Sequence, residues 1–311
     1  MDAWGNFWEK GHSTTFGEYY TDGYTTGYIA QWWSAILKSQ QQPSLQVLEV
    51  GCGNASLLPC MLDSAIKGSY TGVDAAEVIL SDAVKKRANA ELTISLKGGA
   101  GIEAFHSDQQ FDLIASVYGL EYSPLDQSLP LLKDLLAPSG QLNLLMHHSG
   151  SVITEMSVKA LGEFDFAVME KVIAYLNQID TEIVKNKNDL AALQYSVKAQ
   201  AARESVNEFI SQVMNQEPAD RNPILVDFSR AVLTYFKKLK QPKNERLDYI
   251  SGILVDFHSS KERFRQMVDV ARSDQEIQEF KQQLAEAGFE NITINALQKD
   301  GTPVAWNINA N

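Results

Sequence analysis

The stretch Val47-Leu48-Glu49-Val50-Gly51-Cys52-Gly53-Asn54-Ala55-Ser56 constrains the fold more than any other part of the chain. An apolar run ends in two glycines one residue apart and gives way to a helical pattern. The run reads as a strand buried in a parallel sheet. The glycines allow a tight turn and let a ligand approach without a Cβ in the way. A helix from Ala55 to about Ile66 would aim its unpaired N–H groups at that ligand. Glu49 falls at the strand end, where ligands of open α/β sheets bind.

The pattern then repeats. A second strand, Ser69–Val73, ends at Asp74, and a helical stretch covers Glu77–Ala90. Leu92–Leu96 reads as a third strand, followed by Lys97-Gly98-Gly99-Ala100-Gly101. Phe111–Val117 reads as a fourth strand and Gln127–Leu136 as a helix. Pro138-Ser139-Gly140 turns into a fifth strand, Gln141–His147. Strand–helix alternation of this kind implies a parallel sheet with right-handed crossovers. Near the C-terminus, Ser273-Asp274-Gln275-Glu276 has the form of a capping box, and Gly288 suits the residue just past a helix end. Glu290–Gln298 and Thr302–Ile308 then read as two strands joined through Lys299-Asp300-Gly301, a hairpin signal.

Between these regions, residues 151–273 carry long helical patterns and no convincing strand. One apolar series runs from Phe164 to Ile183 and breaks near Asn186-Lys187-Asn188-Asp189; another runs from Leu190 to Val213. Ile224–Leu239, Asp248–Phe257 and Lys261–Ala271 read as further helices. The N-terminal end is different again. Ten aromatic residues (Trp4, Phe7, Trp8, Phe16, Tyr19, Tyr20, Tyr24, Tyr28, Trp32 and Trp33) fall within its first 33 positions, and Gly23–Leu37 reads as a helix leading into the first strand.

The Glu-x-Gly-x-Gly motif after a first strand, an acid ending the second strand 23 positions past Gly51 (74 − 51) and the closing helix and hairpin resemble the class I S-adenosylmethionine (SAM)-dependent methyltransferases. The resemblance covers residues 43–150 and 274–311. It implies an α/β fold with a Rossmann-like, mostly parallel sheet and an antiparallel C-terminal hairpin. Residues 1–42 would form an aromatic helical lid. Residues 151–273 would be an all-helical insertion after strand five, capping a substrate pocket or forming a homodimer surface. The implied cofactor is SAM and the product S-adenosylhomocysteine. By the family's pattern, Glu49, Gly51, Cys52 and Gly53 lie at the methionine part of the cofactor. Asp74 accepts from both ribose hydroxyls and Ala75 lies beside the adenine. The family often has an acid after strand three to meet the adenine amine; here the backbone of Gly99 and Ala100 would take that role. Val117 and Tyr118 would touch the cofactor, with Tyr24, Tyr19 and Tyr20 as lid residues. Many members have Leu-Glu-His after strand four where this chain has Leu120-Glu121-Tyr122, and Glu121 reads as a residue holding that loop.

Candidates for proton transfer are His147 and His148 at the end of strand five, His12 in the N-terminal segment, and Tyr118. A neutral imidazole can take a proton from a hydroxyl or amine; the plainer alternative for each is a histidine satisfied by its packing. Net charge is −12, and the one modest basic cluster, Lys237 to Lys243, reads as a solvated helix end, so a nucleic-acid partner is not expected. No run is long and apolar enough for a membrane span. The start Met1-Asp2-Ala3-Trp4-Gly5 lacks the features of a signal peptide, and Cys52 and Cys60 read as free packing residues, both fitting a cytoplasmic setting. No spacing of His, Cys and acids suggests a metal. The expected reaction is methyl transfer to a small-molecule acceptor. Two alternatives stay open: a nicotinamide enzyme, against which the third fingerprint glycine is replaced by Ser56, and a non-catalytic binding or scaffold protein on the same fold.

Overall fold

The computed structural model describes residues 3–15, 23–64, 66–87 and 91–311. Its centre is a seven-stranded sheet of order β3-β2-β1-β4-β5-β7-β6. The strands are β1 (Leu45–Val50), β2 (Gly68–Val73), β3 (Leu92–Lys97), β4 (Phe111–Val117), β5 (Leu136–Met146), β6 (Thr293–Lys299) and β7 (Thr302–Ala310). The first five strands are parallel. β7 runs antiparallel to both β5 and β6. The strand order reverses direction between β1 and β4, and that switch point is where open α/β sheets leave a crevice for ligands. Register places the crevice: Val50 pairs with Val73 and Val73 with Lys97, while Val117 pairs with Leu145. Gly51, Asp74 and Tyr118 therefore leave the sheet along one edge.

Alternation decides which helices cover which face. Leu48, Val50, Ile114, Leu142, Leu144 and Ile308 face α5 (Leu125–Leu135) and α11 (Asp274–Glu286), which contribute Leu129, Leu132, Ile277, Phe280 and Leu284 to that core. Val47, Tyr70, Leu113, Ala115, Leu145 and Ala305 pack on the other side with α2 (Gly27–Ser39), α3 (Leu58–Asp63) and α4 (Asp82–Arg87). α11 opens with the expected capping box, Ser273 and Glu276 bonding reciprocally, and Gly288 follows it at φ +90°. The β6–β7 hairpin turns through Asp300 and Gly301, both at positive φ, the geometry a two-residue primed turn requires.

Several boundaries differ from the sequence reading. The helix after β1 begins at Leu58 rather than Ala55, because Gly51, Gly53 and Ala55 all hold positive φ and a right-handed helix cannot contain them. Pro59 then suits the first turn. α4 begins at Asp82, not Glu77, with Ser81 Oγ accepting from the Val84 N–H at 3.2 Å. β5 starts at Leu136, so Pro138-Ser139-Gly140 lies within the strand, next to a register shift opposite Phe111 and Leu113. A single 28-residue α10 (Lys243–Val270) replaces the two expected helices; His258-Ser259-Ser260 weakens helix propensity but contains no breaker.

The chain divides into two compact units, Met1–Met156 with Gln266–Asn311, and Ser157–Arg265. The second unit has its own core, in which Met169, Leu176 and Ile183 of α7 (Phe166–Lys185) meet Val206 of α8 (Val197–Met214), Phe228 and Tyr235 of α9 (Pro223–Lys237) and Ile250 of α10. α7 ends where Lys187 and Asn188 take positive φ. Inside this unit Arg246 Nε donates to Asp180 Oδ1 at 2.5 Å with both side chains almost fully buried. Tyr235 donates to the same oxygen at 3.2 Å. Such a buried pair tolerates the loss of either partner poorly. Among the described residues no helix is long and apolar enough to cross a membrane.

Candidate functional site

The crevice is built on a glycine contact. Gly51 has φ +66°, and a Cβ there would lie 2.6 Å from the Cα of Gly119 in the loop after β4. Gly119 returns the constraint, since its own Cβ would lie 2.8 Å from the Gly51 Cα. Ser116 Oγ donates to the Val50 carbonyl at 2.7 Å and accepts from the Leu120 N–H at 2.9 Å, joining the two strand ends. The N–H groups of Gly51 and Cys52 both reach the Val73 carbonyl, at 2.8 and 3.1 Å.

Asp74 sits opposite this turn. Its Oδ2 accepts from the Gly53 N–H at 2.7 Å and its Oδ1 from the Ala76 N–H at 2.8 Å. These bonds orient the carboxylate. Glu49 is only 2% exposed, and Tyr70 donates its hydroxyl to Glu49 Oε2. Burial pushes the Glu49 carboxyl up from its ordinary 4.5 to about 8, with Tyr70 opposing and Asp74 adding to the rise. The Cys52 thiol beside it is also raised by burial; Cys52 and Cys60 are both free.

A cavity opens between these groups. Glu49, Gly51, Cys52, Asp74, Ala75, Val117, Tyr118 and Tyr24 line it, together with Trp4, Trp8, Glu103 and Tyr122. The structure thus gathers most of the residues expected to hold a cofactor. Gly53 is not in the lining: a Cβ on it would lie 2.5 Å from the Trp8 ring. Gly99 and Ala100 are not brought to the cavity either, because their N–H groups are engaged by the carbonyls of Ala76 and Asp74 at 3.0 and 3.3 Å. From that loop the lining comes instead from Gly101, Ile102 and Glu103. Glu103 escaped the sequence reading although it stands two residues past the last glycine of the loop. Three carboxyl groups and no basic side chain appear among the described lining residues; with Glu49 holding its proton up to about pH 8, Asp74 and Glu103 are the two that favour a cation.

Asn54 and Ser56, within the opening motif, do something the sequence did not disclose. Asn54 Nδ2 donates to the carbonyls of Trp8 and His12, at 3.1 and 2.8 Å, and its Oδ1 accepts from the Ile79 N–H. Ser56 Oγ donates to the Ser13 carbonyl at 3.0 Å. Together they tie residues 8–13 over the glycine turn. Phe16, Tyr19 and Tyr20 lie outside the described residues.

The proton-transfer candidates separate clearly. His147 is 3% exposed, and both its Nδ1 and its backbone N–H meet Glu121 Oε1, at 2.8 and 3.0 Å. Its ring lies against Tyr118 and Tyr122, with centroids 4.5 and 5.9 Å away, so it sits directly behind two cavity walls. Glu121 Oε2 and the Tyr122 hydroxyl are buried without a hydrogen-bond partner. The Tyr118 hydroxyl donates to the Val304 carbonyl at 3.0 Å and lies 2.8 Å from the Tyr28 hydroxyl; burial pushes its pKa well up. His148 accepts from the Gly150 N–H at its Nδ1 and stacks on Trp306, and partial burial lowers its pKa. His12 stacks on Phe7 at 4.3 Å. None of His147, His148 and His12 lines the cavity. Among the described residues no group of three or more His, Cys, Asp or Glu side chains is placed to hold a metal.

Residues 47–140 match the family model described as a methyltransferase domain. Among solved structures, the chain resembles the CMeT domain of the citrinin polyketide synthase, at 11% identity and a TM-score of 0.41 over 91% of this chain and 52% of that one. It also resembles the CcbJ methyltransferase from Streptomyces caelestis, at 16% identity and a TM-score of 0.33 over 44% and 59%. A third is the glycopeptide N-methyltransferase MtfA complexed with sinefungin, at 16% and 0.30 over 40% and 56%. The chain spans about half the length of the first of these. No curated protein matches.

Proposed function

We propose that this protein, with the methyltransferase domain at residues 47–140 as premise, binds SAM in the cavity at the β1/β4 switch point and methylates a small-molecule acceptor. The observation that carries the reading is the oriented Asp74 carboxylate facing a glycine turn that admits no Cβ. The donor set fits the group. A carboxylate has about four acceptor sites, so Asp74 can serve two ribose hydroxyls while keeping its N–H bonds. Glu103 replaces Gly99 and Ala100 as the partner for the adenine amine. The Gly51 turn receives the methionine part, with Glu49 below it. When bound, SAM supplies an electrophilic methyl group on a sulfonium with a good leaving group. The chain's own residues hold and align the reactants and exclude water.

An acceptor that must lose a proton needs a base, and we assign that role to His147, which stands behind the Tyr118 and Tyr122 rings rather than in the cavity lining. Glu121 accepts from Nδ1–H, which leaves Nε2 as the proton acceptor. Replacement by glutamine is expected to lower the turnover of a hydroxyl acceptor by about 100-fold while S-adenosylhomocysteine affinity stays within a few-fold; unchanged turnover would remove His147 from that role.

Calorimetry with S-adenosylhomocysteine tests the cofactor. The wild type should bind, and Asp74→Ala should bind about 10- to 100-fold more weakly, the loss expected for hydrogen bonds to a charged group. Absence of heat with both SAM and S-adenosylhomocysteine, or stronger thermal stabilisation by NAD(H), would overturn the reading in favour of a different ligand for the same crevice.

A further inference from the structure

On the α2 side of the sheet the odd-numbered positions of β5 and β7 change character along their length. Leu145 and Ala305 are apolar and packed in the core with α2. Asn143, Asn307 and Asn309 follow on the same face, and Asn309 pairs directly with Asn143 on one side and Thr293 of β6 on the other. Asparagine is depleted from strands, so three on one face of adjoining strands oppose local propensity. Breaks of that kind concentrate at functional positions. A groove runs over this row, walled by Trp32 and with Gln141 at one end, and no charged side chain lines it among the described residues. Trp32 Nε1 donates to Asn307 Oδ1 at 2.9 Å, which fixes that amide and leaves its Nδ2 for other acceptors. Asn143 is 3% exposed, and its Nδ2 has no hydrogen-bond partner although the residue lines the groove. No residue of this groove lines the cavity at the carboxyl ends of the strands.

We propose that this groove is a second binding site, for a neutral polyhydroxylated ligand of the sugar class. A side-chain amide presents a donor and an acceptor side by side, which matches a pair of adjacent hydroxyl groups, one accepting and one donating. The exposed edge of Trp32, with Ala35 and Ile36 beside it, supplies an apolar surface for a C–H face. Phosphate and carboxylate ligands meet no basic side chain among the described lining residues. An added peptide strand would need an open backbone ladder, whereas β5 and β7 are paired on both sides.

Saturation-transfer NMR and calorimetry on the full chain with glucose, N-acetylglucosamine and maltose, with inorganic phosphate as the charged control, test the site. At least one sugar should bind and phosphate should not. Asn143→Leu should weaken the sugar by about tenfold or more. It should also raise the thermal unfolding midpoint, by about 2 °C or more, because leucine replaces an unpartnered amide. Saturation transfer from none of the sugars, undiminished sugar binding in Asn143→Leu, or an unchanged or lower midpoint in that variant would each overturn the proposal; a lowered midpoint would make Asn143 a structural partner instead.

Discussion

Gly51→Ala is expected to cost about 3 kcal/mol of stability and to abolish measurable S-adenosylhomocysteine binding. Two effects add. An alanine held at φ +66° bears a left-handed conformation worth about 1–2 kcal/mol. Its Cβ must also displace the Gly119 Cα from 2.6 Å, and that neighbour is backbone, anchored at the end of β4, so relief requires the β1 and β4 ends to separate. Overpacking of this kind costs about 1–3 kcal/mol. The same separation pulls the Gly51 and Cys52 N–H groups from Val73 and re-aims the turn that faces Asp74. Gly301→Ala is the control, since it has φ +79° and nothing within 4 Å of its Cβ; it should show the strain without the contact and leave cofactor binding intact. Urea denaturation and calorimetry on both variants check the pair. Equal destabilisation of the two would show that the Gly51–Gly119 approach has no energetic role.

The second large effect is pH dependence through Glu49. Its carboxyl titrates near 4.5 in an unfolded chain and near 8 in the folded protein. Between these values the unfolded chain has released the proton and the folded protein still holds it, so the folded state binds more protons and stability falls as pH rises. The contribution is fully present below about pH 4.5 and is lost by about pH 8, with a slope of up to about 1.4 kcal/mol per unit between. Glu49→Gln removes the titration. The difference between wild-type and variant unfolding free energies should therefore slope across that window and flatten on either side. A difference independent of pH would show that Glu49 is ionised in the folded protein. A cationic ligand acts in the opposite sense to burial, so SAM binding near pH 7 should release a proton, readable as a dependence of binding heat on the buffer's ionisation enthalpy.

Much of the sheet was legible because its signals are local. The apolar run of β1 closes on Gly51, and β4 is itself a short run rich in apolar residues. Asp300-Gly301 carries its own turn conformation, and Ser273 with Glu276 its own cap. Asp74 was legible through its spacing from Gly51. Other features depend on partners remote in sequence. The Tyr118 hydroxyl meets Val304, 186 positions away, a partner that no local pattern marks. Gly99 and Ala100 look like free backbone until their N–H groups are seen bonded to Ala76 and Asp74. The row of Asn143, Asn309 and Thr293 exists only once the β5–β7–β6 register is known.

The division has one physical cause. Backbone propensity, hydrophobic period and glycine's freedom act over a few residues, so the chain alone determined a parallel sheet, its closing hairpin and the turn at Gly51. Burial, pairing and approach are long-range. Only the tertiary structure decided that Glu49 is a desolvated carboxyl paired with Tyr70, that Asn54 and Ser56 bind the N-terminal segment rather than a helix, and that His147 meets Glu121 behind the cavity wall. Each of those outcomes depends on which groups the fold removes from water together.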